Sequence, residues 1–346
     1  MPDNEKAYSI LDLAIISEGK SLRETLDGSL ELARVADEHG YKRYWLAEHH
    51  NSEAIGSSAT VILIGKIAEG TKRIQVGSGG IMLPNHSPLI VAEQFGTLGT
   101  LYPDRIDLGL GRAPGTDQMT ARAIRSEFYE AAMSFPREVQ RIQNYFSLEN
   151  AGTAVRANVA EGVNVPLYIL GSSTESAHLA AEKGLPYAFA SHFATGQLMT
   201  ALDIYRREFR ASQALERPYT MAGVNIIVAD TDEEAENLST SLYTMIINLL
   251  TGKRRKMQAP FPMTDELLEI GQEPAVQQFL KYLFVGSKET VKKEIKGFIE
   301  MTGVDELIAV TNIFSSEDRI KSYRLFAELM QELNKEATLS QSATSF

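Results

Sequence analysis

The chain has no cysteine among its 346 residues and a single tryptophan. Missing thiols exclude disulfides, thiolate nucleophiles and zinc–thiolate centres together. No uninterrupted apolar run approaches the roughly 18 residues that a membrane-spanning helix needs. The opening residues Met1-Pro2-Asp3-Asn4-Glu5-Lys6 are polar and lead into no signal-like apolar core, so a cytoplasmic location is expected. Positive charge is also short. The 34 Lys and Arg stand against 45 Asp and Glu, a formal net charge of −11. A nucleic-acid partner needs a basic face, and this balance argues against one. It excludes no small anionic ligand, which responds to local charge.

What is present is a globular composition, 44% apolar and 23% charged, sufficient for a full core. Strand-like stretches (Tyr8–Ile16, Tyr41–Ala47, Ile74–Leu83, Arg105–Gly111, Pro166–Leu170, Pro186–Ser191, Met221–Ala229, Asp305–Ile313) alternate with helical ones. Ser21-Leu22-Arg23-Glu24 and Thr231-Asp232-Glu233-Glu234 are capping boxes that open two of the helices. Others are expected over Ser58–Gly70, Pro88–Leu101, Thr174–Lys183, Thr195–Leu215 and Ser315–Leu333, with Thr116–Ser147 mainly helical. Eight β/α alternations predict parallel strands, and eight is the count that closes a (β/α)8 TIM barrel. One α/β domain is therefore expected over 1–346, with a polar tail from about 336. Thr251–Val285 breaks the rhythm after strand seven. An excursion of that length reads as a lid, although its Lys253-Arg254-Arg255-Lys256 run also fits a plain solvated loop.

In such a barrel, chemistry sits at the C-terminal ends of the strands. Glu48-His49-His50 ends strand two, and a histidine there can move a proton near neutral pH. Neighbouring strand residues face opposite ways, so His49 and His50 should do different jobs. No third histidine or paired carboxylate stands at ligand spacing, so a metal site is not expected. Val76-Gly77-Ser78-Gly79-Gly80 is either a bulge that shapes the barrel or a platform for a flat ring. Gly109-Leu110-Gly111-Arg112-Ala113-Pro114-Gly115 only loosely resembles a dinucleotide fingerprint, and Arg112 reads better as an anion ligand. Gly171-Ser172-Ser173-Thr174 leads a strand into a helix, which suits either a phosphate or ordinary capping by hydroxyls. Arg122 follows on the helix after Gly115, placed either to reach the same anion or simply on the surface.

The order and spacing of several segments resemble the bacterial luciferase-like family of flavin-dependent monooxygenases. They are Tyr44–His50, Val76–Pro88, Ala92–Phe95, Arg105–Asp117, Tyr168–Thr174, Gly184–Pro186 and Phe284–Ser287. That resemblance implies a TIM barrel that uses reduced FMN, molecular oxygen and a small organic substrate. It also implies a separate flavin reductase and a homodimer. By the same resemblance, His49 is the catalytic histidine. Ser78, Gly79 and Gly80 lie under the isoalloxazine, with a cis peptide at Gly79–Gly80. Arg112, Arg122, Gly171, Ser172, Ser173, Thr174 and Ser176 cradle the phosphate. Gly111 stands where light-emitting members carry cysteine, and Ser172 where they carry an acid, so long-chain aldehyde oxidation with light emission is not expected. The alternatives are a reduced-flavin binder without oxygenation, a deazaflavin-dependent reductase and, remotely, a nicotinamide dehydrogenase.

Overall fold

The computed structural model describes residues 5–253 and 255–344. Arg254, within the basic run of the excursion, lies outside the described residues. The chain runs β1 (Ala7–Asp12), α1 (Leu22–Glu38), β2 (Arg43–Leu46), α2 (Thr60–Gly70), β3 (Gln75–Met82), α3 (Pro88–Leu101) and β4 (Ile106–Gly111). Three short helices follow, α4 (Gln118–Ile124), α5 (Phe128–Met133) and α6 (Phe135–Phe146). The second half comprises β5 (Leu167–Gly171), α7 (Thr174–Lys183), β6 (Tyr187–Phe189), α8 (Leu198–Glu208), β7 (Thr220–Ala229) and α9 (Asp232–Leu250). It ends with α10 (Asp265–Gly271), α11 (Pro274–Leu280), β8 (Leu283–Ser287), α12 (Lys288–Thr302), β9 (Glu306–Val310) and α13 (Ser316–Thr344).

Every strand pairing is parallel, and β1-β2-β3-β4-β5-β6-β7-β9 closes back on β1. This is the eight-stranded TIM barrel the alternation predicts. The predicted capping box at α1 is formed: Ser21 Oγ accepts from Glu24 N–H, and Glu24 accepts from Ser21 N–H at 2.9 Å. Three expectations need correction. First, the stretch after strand seven is no plain excursion, because it contains β8, a ninth strand outside the ring. β7 is long enough to pair β6 through Thr220–Ala222 and β8 through Asn225–Ala229. A count of one strand per helix cannot see a strand that joins no ring. Second, the last helix, expected to end at Leu333, continues through the polar tail to Thr344. No glycine or proline interrupts that stretch, and Lys292 pairs with Glu336 at 2.8 Å. Third, the helix expected over Thr195–Leu215 is only Leu198–Glu208.

Side chains facing the bore form layers. The bottom layer is ionic. Arg43, 1% exposed, donates from Nε to Glu306 Oε1 at 2.7 Å and from Nη1 to Asp107 and the Tyr168 hydroxyl. Trp45 Nε1 donates to Asp107 Oδ2 at 3.0 Å, and Ser9 Oγ donates to Glu306. Burying these charges costs desolvation, which only this mutual pairing offsets. Above lies an apolar layer of Leu11, Trp45, Ala47, Tyr168, Ala188, Met221, Ile308 and Val310, with half-buried Leu13 and Leu170 towards the mouth. The bore is thus filled from below and opens at the C-terminal ends of the strands.

Candidate active site

Alternation along β2 carries the inward line from Arg43 and Trp45 through Ala47 to His49. His49 is half-buried. Its Nδ1–H donates to the Gly115 carbonyl at 3.2 Å, which leaves the Nε2 lone pair free of protein partners. Burial pushes its pKa below the ordinary histidine value, only partly opposed by the Gly115 hydrogen bond and the Glu48 charge. The imidazole is therefore neutral at pH 7. A cleft of about 270 Å³ opens beside it, walled by Ser52, Ile55 and Ser58.

Glu48 and His50 do a different job, as the alternation predicts. Glu48 is 1% exposed. Its Oε1 accepts from His50 Nε2 at 2.9 Å, His86 Nε2 at 2.9 Å and Asn85 Nδ2 at 3.0 Å, and its Oε2 accepts from Met82 N–H at 3.0 Å. Asn85 Nδ2 also donates to the Pro114 carbonyl at 2.9 Å. One carboxylate thereby ties together the ends of β2 and β3 and the turn after β4 that carries Gly115. In the sequence, Glu48 stands out only as the acid before two histidines at a strand end. Its partners come from separate strand ends.

Burial alone would raise the Glu48 pKa. Hydrogen bonds from His50 and His86, the His86 charge and the Asn85 amide outweigh it and bring the pKa down to about 2. A folded-state value below the unfolded one means stability fully present above about pH 4.5 and lost as pH falls towards 2. The shift corresponds to about 3 kcal/mol. The gap in urea midpoint between the protein and Glu48→Gln should therefore be wide at pH 6 and shrink steadily below pH 4. A gap independent of pH would remove Glu48 from this role.

The glycine-rich segment of β3 is a bulge, one of the two things its sequence allowed. The β3–β4 register shifts between Ser78 and Ile81, and the Gly79–Gly80 peptide is cis. Gly79 is half-buried on the bore side, over Leu11 and Trp45. Ser78 is fully buried. Its hydroxyl donates to the Gly109 carbonyl at 2.8 Å and accepts from Gly109 N–H at 3.1 Å. Any contact that Ser78 makes with a ligand is thus through main chain, because the ladder already uses its side chain.

The turn from β5 into α7 lies across the mouth. Ser173 occupies the N-cap position but makes no side-chain cap bond, so ordinary capping does not account for this sequence. Thr174 N–H has only a long contact with Gln197 Oε1, 3.3 Å. Ser172 is exposed, and among the described residues neither its hydroxyl nor that of Thr174 has a partner. Ser176 differs from the expected ligand role. Its hydroxyl donates to the Ser173 carbonyl at 2.6 Å and shares a 2.9 Å hydrogen bond with the Tyr187 hydroxyl, so it shapes the turn. Gly171 is required for that close packing, since a Cβ there would lie 1.9 Å from Ser176 Oγ. Arg112 is exposed and reaches the same turn, near enough to help lower the pKa of Glu175, whose main cause is a hydrogen bond with Ser173. Arg122 lies on α4. It is exposed, with its guanidinium 5.8 Å from the Tyr129 ring centroid.

A further histidine, absent from the sequence expectations, stands just past β6. His192 is half-buried. Its signal was available, a histidine at a strand end within Ser191-His192-Phe193. Among the described residues, no group of three His, Asp or Glu side chains has the geometry to hold a metal ion.

In a parallel (β/α)8 barrel, histidines and a buried carboxylate at the C-terminal mouth stand where barrel enzymes carry their chemistry. The chain belongs to the luciferase-like monooxygenase family, whose profile matches residues 8–306. An Escherichia coli K12 protein described as a luciferase-like monooxygenase is 45% identical over 333 residues, covering 96% of this chain and 99% of its own length. An N-acetyl-S-alkylcysteine monooxygenase from Bacillus subtilis is 32% identical over 329 residues, covering 92% of this chain and 97% of its own. Among solved structures, apo-MsnO8 superposes with a TM-score of 0.86 at 32% identity, covering 94% of this chain and 99% of that one. The family makes the protein an oxidoreductase of the monooxygenase kind. Among the described residues no helix is long and apolar enough to cross a membrane.

Proposed function

We propose that this chain binds reduced FMN at the barrel mouth and, with molecular oxygen, inserts one oxygen atom into a small organic substrate. One observation carries the reading. The start of α7, left uncapped by Ser173, meets Arg112 at the rim of an apolar bore whose wall bears His49. N–H groups at a helix start, the Ser172 and Thr174 hydroxyls and a planar guanidinium are the donor set a phosphate monoester needs. Arg122 belongs to the same cradle in this reading, which requires its side chain to leave Tyr129. Main chain at Ser78, Gly79 and Gly80 would lie under the ring system, with Gly171, Ser173 and Ser176 setting the shape of the phosphate turn. Glu175 opposes an anion here, but Arg112 partly neutralises it.

Reduced FMN, when bound, supplies the two electrons that allow one oxygen atom to enter the substrate while the other leaves as water. The protein's part is positional. Apolar side chains in the upper bore keep water from the reacting atoms. His49, uncharged and with Nδ1 held by Gly115, offers Nε2 to take up and return a proton. The relative named for monooxygenation of an N-acetyl-S-alkylcysteine supports oxygen transfer to a small molecule. In the same reading a separate reductase supplies the reduced flavin, and the working form is a cytoplasmic homodimer. The test is product formed under isotopically labelled dioxygen with chemically reduced FMN and a substrate panel. Label in the product supports oxygenation, and oxidised product without label overturns it.

The cradle makes its own prediction. Arg112→Ala should weaken FMN by roughly 10–100-fold, the size of a lost charge-assisted hydrogen bond, and leave riboflavin affinity unchanged. Calorimetry with both flavins reads this directly, and equal weakening of the two would remove Arg112 from the phosphate.

A further inference from the structure

His192 has a place in the bore that neither packing nor the protein's own hydrogen bonds explain. On β7, Met221 belongs to the bore layer while Ala222 and Val224 belong to the outer core, so Gly223 and Asn225 also face inward. The His192 ring fills the space above Gly223, where a Cβ would lie 2.4 Å from Nδ1. The backbone is pinned on both sides of the ring. Asn225 Nδ2 donates to the His192 carbonyl at 2.6 Å, and Ser191 Oγ donates to the Gly223 carbonyl at 2.6 Å. The edge of Phe193 packs on the ring at 4.8 Å between centroids. A fixed ring would ordinarily have a partner for each nitrogen, yet this one has none among the described residues. Nδ1 is buried and unpaired, and Nε2 has no protein partner either.

Burial brings the His192 pKa down to about 4, and His49, where it takes up a proton, pushes in the same direction. The ring is therefore neutral across the physiological range, with one proton to place. A buried N–H without an acceptor costs more than a buried lone pair without a donor, so the proton belongs on Nε2 rather than against Gly223. That leaves one N–H without an acceptor among the described residues, in an apolar bore that also holds His49. A neutral donor in apolar surroundings selects an uncharged acceptor, because a carboxylate would also have to shed its hydration there.

We propose that His192 is a substrate-contacting residue that donates Nε2–H to an uncharged carbonyl or amide oxygen of a largely apolar substrate held between it and His49. The pinned ring fixes where that oxygen lies, and Leu13, Leu170 and Val310 receive the apolar remainder. This deepens the proposed oxygenation and rests on its placement of substrate in the bore, but its test needs no flavin.

The full-length protein, free of flavin, is titrated with cyclohexanone and with methylenecyclohexane, a probe of the same shape without the acceptor. Imidazole nitrogen signals are followed by NMR, and loss of one set in His192→Gln assigns it. Cyclohexanone should move the His192 Nε2 signal and methylenecyclohexane should not. His192→Phe should bind cyclohexanone roughly tenfold more weakly, the size of one lost hydrogen bond. It should bind methylenecyclohexane at least as well as the unaltered protein, and His192→Gln, which keeps a donor, should retain part of the ketone preference. Unmoved His192 signals, or equal loss of both probes in His192→Phe, would overturn the proposal. FMN calorimetry on the same variants keeps the two readings apart, since failure to bind flavin leaves the ketone result standing.

Discussion

Replacing His49 by alanine should lower oxygen transfer by roughly 10²–10⁴-fold, the usual worth of a positioned acid/base group, while FMN affinity stays unchanged. The expectation follows from where the side chain is and in which form. His49 lies on the inward line of β2, its Nδ1 is held by Gly115, and its pKa is below the ordinary value. A neutral imidazole is therefore the working form at pH 7. If that form carries turnover, the rate should stay flat on acidification through pH 6.5 and fall only below it, because the folded-state pKa is depressed. The measurements are steady-state product formation from pH 5 to 8 and calorimetric FMN binding by His49→Ala. A variant with full turnover and intact flavin affinity would take the acid/base role away from His49.

The second large effect concerns stability. Arg43→Met should cost about 3–5 kcal/mol, because it leaves Asp107 and Glu306 buried without their shared guanidinium. Both carboxylates are fully buried, and the remaining cation nearby, Lys42, lies 3.7 Å from Glu306 Oε2 and does not reach Asp107 Oδ2 in a salt bridge. For a chain of this length that cost lowers the melting midpoint by about 5 °C. Removing all three charges together, as Arg43→Met with Asp107→Asn and Glu306→Gln, should recover most of the loss, since the penalty comes from unpaired charge and not from a missing attraction. Urea unfolding of the single and triple variants decides the matter. A single variant as stable as the parent would mean the bore tolerates uncompensated carboxylates, and the ionic layer would then contribute no stability.

Much of the fold was legible in the chain because its signals are local. Pro88–Leu101 and Thr174–Lys183 begin and end in the structure where the sequence places them. Each boundary there carries its own chemistry, Pro88 at the first helical position and Gly184 in the left-handed conformation after the last. The β8 strand was not legible, since its pairing depends on the length of β7, and the continuation of α13 depends partly on the Lys292–Glu336 pair made with another helix. The site divides in the same way. His49 announces itself by lying past a strand end, and the Gly79–Gly80 segment by two consecutive glycines within a strand. Ser78 and Ser176 carry the residue type of ligands, but three-dimensional neighbours had already taken their hydroxyls.

By itself, the amino-acid order determined the β/α alternation, the count of strands in the ring, and which residues stand where strands end. Those follow from periodicity and capping, which act over a few residues at a time. Only the closed barrel decided which strand ends meet. It set Glu48 among His50, Asn85 and His86, left the start of α7 open beside Arg112, and seated His192 on Gly223 in the same bore as His49. Closure joins residues more than a hundred positions apart, and whether a polar atom is satisfied or left for a ligand depends on those distant neighbours.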